Sequence, residues 1–399
     1  MELYTFKKEN TSAKTVVLED MILTKDMPTA AGSKMLEGYM SLFDAEVVNK
    51  LTAAGYEIGG KAKVGELGID LLGETSYFGA NEREDGSLMT ASSEIVKNGE
   101  AIAAVGLDAN GTAGRAAALN GQVCVKPTYG TVSRFGTVSI ACSGETVTVT
   151  ANTVEDAKAV LSVIVGHDDK DGTSLSAEKC ASVLTNSAKA GKVAVASSIV
   201  KCADAAVQKV VAEAIETLKA KGVTVEEIDD SLLMAAKSAW NVLMSAELCN
   251  NVSRYEGVKY GYRTKNYTTI DELYTNSRTE AFGELLKNAI LFGSETLSDD
   301  NYMKMYDKGL RIRRVIVERL AEIFAEYDAL LMPACGKTAY TKADTEANKY
   351  ISYDENRYSA VAFISGSPAV VAGGVQLVGK AFSENSLFEI AKMLEGDGK

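Results

Sequence analysis

Apolar positions fall into two kinds of segment along this chain. The short apolar run 15–18 reads as a buried strand, and 56–60, 223–228, 329–332 and 375–378 read as further short strands, the fourth of the five stopped by Pro333. Between them the spacing turns helical. Residues 45–54 place Val47, Val48 and Leu51 on one face, with Gly55 as the stop. Thr153 opens a segment with capping-box spacing, and Val154, Ala157, Val160, Leu161 and Ile164 then share a face up to Gly166. Residues 204–221 turn Val207, Val210, Val211, Ala214 and Leu218 inward and end on lysines and Gly222. Residues 232–255 and 302–327 read as long helices, and a last helix from Ser383 buries Leu387, Ile390, Ala391 and Leu394. Residues 95–105 fit an apolar helix or a strand, and 81–90 a charged, turn-rich loop.

This alternation predicts an α/β fold, a sheet with helices on both faces. The first fourteen residues are polar and without period, so they are expected to be a loose lead-in. No low-complexity linker or internal repeat divides 15–399, which is expected to fold as one domain.

Charge and composition narrow the function. The chain has 399 residues and a formal net charge of −12, which argues against a broad basic surface and direct nucleic-acid binding. Six cysteines with no CxxC pair read as reduced thiols, and with no secretory signal or long apolar run the expectation is a cytoplasmic protein off the membrane. The single histidine, His167, sits in a Gly- and Asp-rich turn and reads as a solvated loop residue. That leaves no expected metal or cofactor. The basic run 311–314 reads as a solvated helix face.

One stretch carries more specific information. Residues 106–136 read GLDANGTAGRAAALNGQVCVKPTYGTVSRFG, and the KPTYG and VSRFG blocks within it stand at the spacing of the amidase signature family. The stretches LEDMILTKDMPTAAGSKML (18–36), GKAKVGE (60–66), ETSYFG (74–79), SRYEGVKYGYR (253–263), SRTEAFG (277–283) and GVQLVGKAF (374–382) follow in family order. The chain therefore resembles that family, and within it the A subunits of glutamine-dependent tRNA amidotransferases. The resemblance implies an α/β/α sandwich around one large mixed sheet.

It also implies a chemistry. Family members hydrolyse amides with a lysine, a bridging serine and a serine nucleophile, the lysine acting as a neutral base through the bridging hydroxyl. Position by position, the lysine falls on Glu19, the bridging serine on Leu88 and the nucleophile on Thr112. Ser87 or the pair Ser92-Ser93 could take the bridging place only by a shift of register. The turn before the nucleophile becomes Asn110-Gly111, whose N–H groups would hold an oxyanion. Arg278, in SRTEAFG, matches an arginine associated with the α-carboxylate of glutamine, and an ion-pair role is equally open. The expected function is a non-hydrolysing amidase-fold scaffold or regulatory subunit, with a partner resembling the amidotransferase B or C subunit. An active glutaminase rebuilt at Thr112 and a small-molecule sensor in the old pocket stand as alternatives.

Overall fold

Two strands open the chain, β1 (Tyr4–Lys7) and β2 (Thr15–Glu19). The computed structural model, which describes residues 2–9, 14–186 and 191–396, continues with β3 (Glu57–Ala62), β4 (Ala103–Asp108), β5 (Val123–Lys126) and β6 (Thr146–Ala151). Then come β7 (Lys192–Ala196), β8 (Thr224–Ile228), β9 (Ala329–Pro333), β10 (Ala369–Ala372) and β11 (Val375–Val378). All eleven join one mixed sheet in the order β1-β3-β2-β4-β6-β5-β10-β11-β9-β7-β8.

β1 corrects the expected lead-in. Tyr4–Lys7 pairs antiparallel with β3 at the edge of the sheet, with a bulge between Tyr4 and Phe6. Four residues, Tyr4 and Thr5 half-buried and Phe6 and Lys7 exposed, show no alternation to stand out in sequence, and Lys7 and Lys8 charge its end as edge strands require. Met1 and residues 10–13 of the expected lead-in lie outside the described residues.

The pleat of β2 sorts the helices onto two faces, because successive side chains of a strand point oppositely. Val16 and Leu18 join the main core with Val47 and Leu51 of α1 (Glu46–Ala53). Val17 instead packs with Ile95 and Val96 of α2 (Ala91–Lys97). β4 is divided the same way, with Ala103 and Val105 on the first side and Ala104 on the second. The ambiguous 95–105 segment is thus the end of α2, a turn, and the start of β4.

Most of the periodic segments fold as read. Thr153 accepts a hydrogen bond from the Asp156 N–H and starts α4 (Val154–Ile164), after α3 (Thr112–Asn120). The long segments become helices Ala236–Val252 and Tyr306–Glu326, and helix Glu384–Leu394 closes the chain. In the basic run Arg311 and Arg314 are solvated, but Arg313 donates to the Ser143 carbonyl at 2.9 Å. No described helix is long and apolar enough to cross a membrane.

Candidate functional site

β2 and β4 run parallel with Leu18 opposite Val105, so both strands finish at the same end and deliver Glu19 beside Gly106. Gly106 has to be bare, since a Cβ there would lie 2.0 Å from Glu19 Oε2. From the other side, α2 begins at Thr90, whose hydroxyl accepts the Ser93 N–H. The next residue round its first turn, Ser92, donates to Glu19 Oε1 at 2.8 Å. Burial pushes the Glu19 carboxyl up to about 7; the Ser92 bond opposes this, while the charges of Asp108 and Asp70 add to it.

β4 ends on Asp108, and its carboxylate organises the turn that follows. Oδ1 accepts the N–H groups of Asn110 at 2.8 Å and Gly111 at 2.7 Å, and Oδ2 accepts that of Ala113 at 3.0 Å. The acid thereby caps α3, where free N–H groups favour a negative charge. Gly111 enters the helix with φ of 79°, and a Cβ on it would fall 2.3 Å from Ser359 Cβ. Only glycine meets both demands.

Thr112 and Asn110 are both spent on one neighbouring loop. The Thr112 hydroxyl donates to the Asp70 carbonyl at 3.1 Å. The carboxamide of Asn110, wholly buried, donates to the carbonyls of Ile69 at 3.1 Å and Asp70 at 2.7 Å. The Asp70 side chain accepts from Gly73 and Thr75, and burial raises its carboxyl against the pull of those bonds. Glu19, Asp70, Asp108 and Thr112 line a cavity of about 20 Å³, room for a single water.

Leu88 lies outside that lining. Its side chain packs with Leu71, Leu72, Met89, Ala116, Cys335 and Tyr340, and its N–H donates to the Tyr340 carbonyl at 2.7 Å. Arg115 occupies the same region and is fully buried. It donates to the carbonyls of Leu71 at 2.8 Å and Asn110 at 3.4 Å, and its Nε lies 3.9 Å from Glu355.

The structure thus brings Glu19 and Thr112 to one cavity and puts Leu88 in a separate apolar cluster. Arg278, on helix Ile270–Ala281, also lies outside the cavity lining. Its Nη2 donates to the Val252 carbonyl at 3.1 Å and its guanidinium stacks 5.6 Å from Phe282. No ion pair engages it among the described residues, and its contacts dock one helix on the end of another. His167 sits in its exposed turn with Asp169 at 2.9 Å. No group of three His, Cys, Asp or Glu side chains could hold a metal ion among the described residues.

Asp70, Asp108 and Arg115 were not anticipated. Asp70 and Thr112 are 42 positions apart, and nothing local in the sequence ties them. Asp108 did carry a signal, as an acid just before a helix start, which is where capping carboxylates belong.

A model of the family described as Amidase matches residues 15–388. The A subunit of the glutamyl-tRNA(Gln) amidotransferase of Latilactobacillus sakei subsp. sakei is 34% identical over 396 residues, covering 95% of this chain and 81% of that one. Its counterpart from Listeria monocytogenes is 32% identical, over 96% of this chain and 83% of that one. Among solved structures, the A subunit of the glutamyl-tRNA(Gln) amidotransferase of Thermotoga maritima superposes with a TM-score of 0.81 at 27% identity, covering 99% of this chain and 87% of that one. The allophanate hydrolase of Kluyveromyces lactis shares the fold at a TM-score of 0.81 and 20% identity, over 98% of this chain and 66% of that one.

Proposed function

Because the chain belongs to the amidase family, we propose that it is a homologue of amidotransferase A subunits that no longer hydrolyses amides. It serves as a scaffold or regulatory subunit in the cytoplasm, beside a partner resembling the amidotransferase B or C subunit. The relatives it resembles are themselves named as subunits, which supports a role in an assembly.

One observation carries the reading: the hydroxyl at the nucleophile position is bonded to the Asp70 carbonyl inside a cavity of about 20 Å³. A carboxamide substrate does not fit in the space of one water. The rest of the relay fails in the same direction. Leu88 passes no proton. Glu19 puts a carboxyl where the family has its lysine and offers no neutral amine to draw the proton. The N–H groups of Asn110 and Gly111 already have a carboxylate acceptor.

A second reading has one observation in its favour, since Glu19 and Thr112 line the same cavity. In it, Glu19 activates Thr112 and the chain is a glutaminase. Ammonia release from glutamine by the purified chain separates the two. Release at the buffer background supports the first; release above it that disappears in Thr112→Ala establishes the second.

A further inference from the structure

Charge on this chain is unevenly spread. The total is −12, yet in the loop 253–267 the exposed side chains charged at neutral pH are Arg254, Lys259, Arg263 and Lys265, all cations. The loop's acid, Glu256, is buried at 8% exposure, 4.0 Å from the Lys259 ammonium. Nearby Glu280 is exposed and keeps its charge, accepting from the Tyr262 hydroxyl at 2.6 Å and the Thr264 hydroxyl at 2.9 Å.

Two further segments join this loop in one surface. The Tyr262 N–H donates to the Met35 carbonyl at 2.7 Å, and the Tyr77 N–H to the Gly32 carbonyl at 2.8 Å. Tyr39 packs 5.9 Å from Tyr260, and Lys34 lies 4.2 Å over the Tyr262 ring. Apolar side chains on these segments stand in water: Leu42 is 91% exposed, and Met40, Phe43, Tyr77, Phe78, Val258 and Tyr260 are exposed as well. A lone exposed Leu needs no explanation, but a contiguous apolar patch with a cationic rim marks an interaction surface.

We propose that the surface formed by loops 34–43, 77–78 and 253–267 docks an acidic segment of another protein that carries aliphatic or aromatic side chains between its acids. Charge complementarity selects the occupant. At physiological salt the field of the remaining acids is screened beyond a Debye length of about 8 Å, so an approaching anion meets the local cations. Single-stranded nucleic acid is the weaker match. Four cations neutralise few phosphates, and Leu42, Met40 and Val258 offer aliphatic tips where a nucleic-acid platform offers stacked rings. An acidic peptide with leucine and phenylalanine fills both halves of the surface. Exposed Glu37 and Glu280 border the same segments and favour a partner with basic residues at those margins. The inference stands apart from the hydrolytic state of the interior.

The test uses the full chain and three fluorescent probes: a peptide of four Glu-Asp-Leu-Phe repeats, the same peptide with Lys-Arg for Glu-Asp, and a twelve-residue oligouridylate. Anisotropy is expected to show binding of the acidic peptide, at least about tenfold tighter than either control, and weakening as salt rises. Lys259→Glu with Arg263→Glu, and separately Leu42→Asp, should each weaken it about tenfold or more. These side chains are exposed, so thermal melts that match the parent keep loss of binding apart from loss of fold. No binding of the acidic peptide, equal binding of the basic one, tighter binding of the oligouridylate, or folded variants that bind like the parent would overturn the proposal.

Discussion

The carboxylate of Asp108 accepts the backbone N–H of Gly111 at 2.7 Å, closing the turn that leads into α3. With the bonds from Asn110 and Ala113 it satisfies three donors with one side chain. That makes Asp108 a structural keystone of the turn, and its removal has a calculable direction.

Asp108→Ala leaves three N–H groups without their acceptor in a buried turn. A loss of about 3 kcal/mol is expected, given typical worths for charge-assisted bonds and their poor additivity. Asp108→Asn keeps one acceptor oxygen but turns an amide N–H₂ toward a donor, so about 1–2 kcal/mol is expected. Urea unfolding measures both. Equal stability of the alanine variant and the parent would mean that the turn is held by Asn110 and Gly111 alone.

Glu19 makes stability depend on pH in a definite direction. Its carboxyl titrates at about 7 in the fold against an ordinary 4.5. Between those values the folded chain holds a proton that the unfolded chain has lost, so this contribution falls as pH rises. Glu19→Gln is neutral throughout and keeps a partner for Ser92. It should match the parent near pH 5 and exceed it by on the order of 2 kcal/mol near pH 8. Lys126 works oppositely, because burial depresses its ammonium to about 7 and its contribution rises with pH above that point. Thermal melts across pH 5 to 9 read both limbs. A constant difference between parent and Glu19→Gln would place the Glu19 carboxyl in its ordinary range.

Arg115 is the largest buried cation near the turn. Its guanidinium ties the Leu71 carbonyl, the Asn110 carbonyl and Glu355, which also accepts the Gly336 N–H at 2.9 Å. Arg115→Ala leaves Glu355 buried without its cation and should cost about 3–5 kcal/mol. Lysine brings one charge but not the planar fork, so Arg115→Lys should recover less than half of that in chemical denaturation.

Strands of unbroken Val, Ala and Leu were legible because burial on both faces leaves no polar position to blur the run. Val16–Leu18 of β2 and Ala329–Leu331 of β9 are of this kind, whereas β11 carries the buried Gln376 within its run. The α/β/α layering followed from alternation, and the family from motifs in order. β1 was not legible, because four residues at an edge, two half-buried and two exposed, draw their order from pairing with β3. The site was legible only as positions. That Leu88 would sit apart from the cavity, and that Ser92 would reach Glu19, depends on how α2 is set against β2 and β4. The Thr112 partner depends on a loop 42 residues upstream. Tertiary placement of this sort has no local periodicity to betray it.

Trp240, the sole tryptophan, connects the turn to the helical layer and offers a direct readout of it. It is wholly buried, its Nε1–H donates to the Ala109 carbonyl at 2.8 Å, and its ring stacks on Phe363 with centroids 6.1 Å apart. Gly144 lies against the ring edge, and a Cβ there would come within 2.2 Å of Cη2. Gly144→Ala therefore forces the indole to move, at about 1–3 kcal/mol for overpacking, and pulls it from Ala109. Gly144 does not have a positive φ, so the cost comes from the contact and not from backbone strain. The parent should show the blue-shifted emission of a buried indole, and Gly144→Ala a red-shifted, more readily quenched one before any unfolding. Trp240→Phe should keep most of the stack, lose the hydrogen bond, and destabilise by about 2 kcal/mol. An unshifted Gly144→Ala spectrum at reduced stability would show that the neighbouring backbone yields instead of the ring, and the hydrogen bond to Ala109 would then be the firmer of the two.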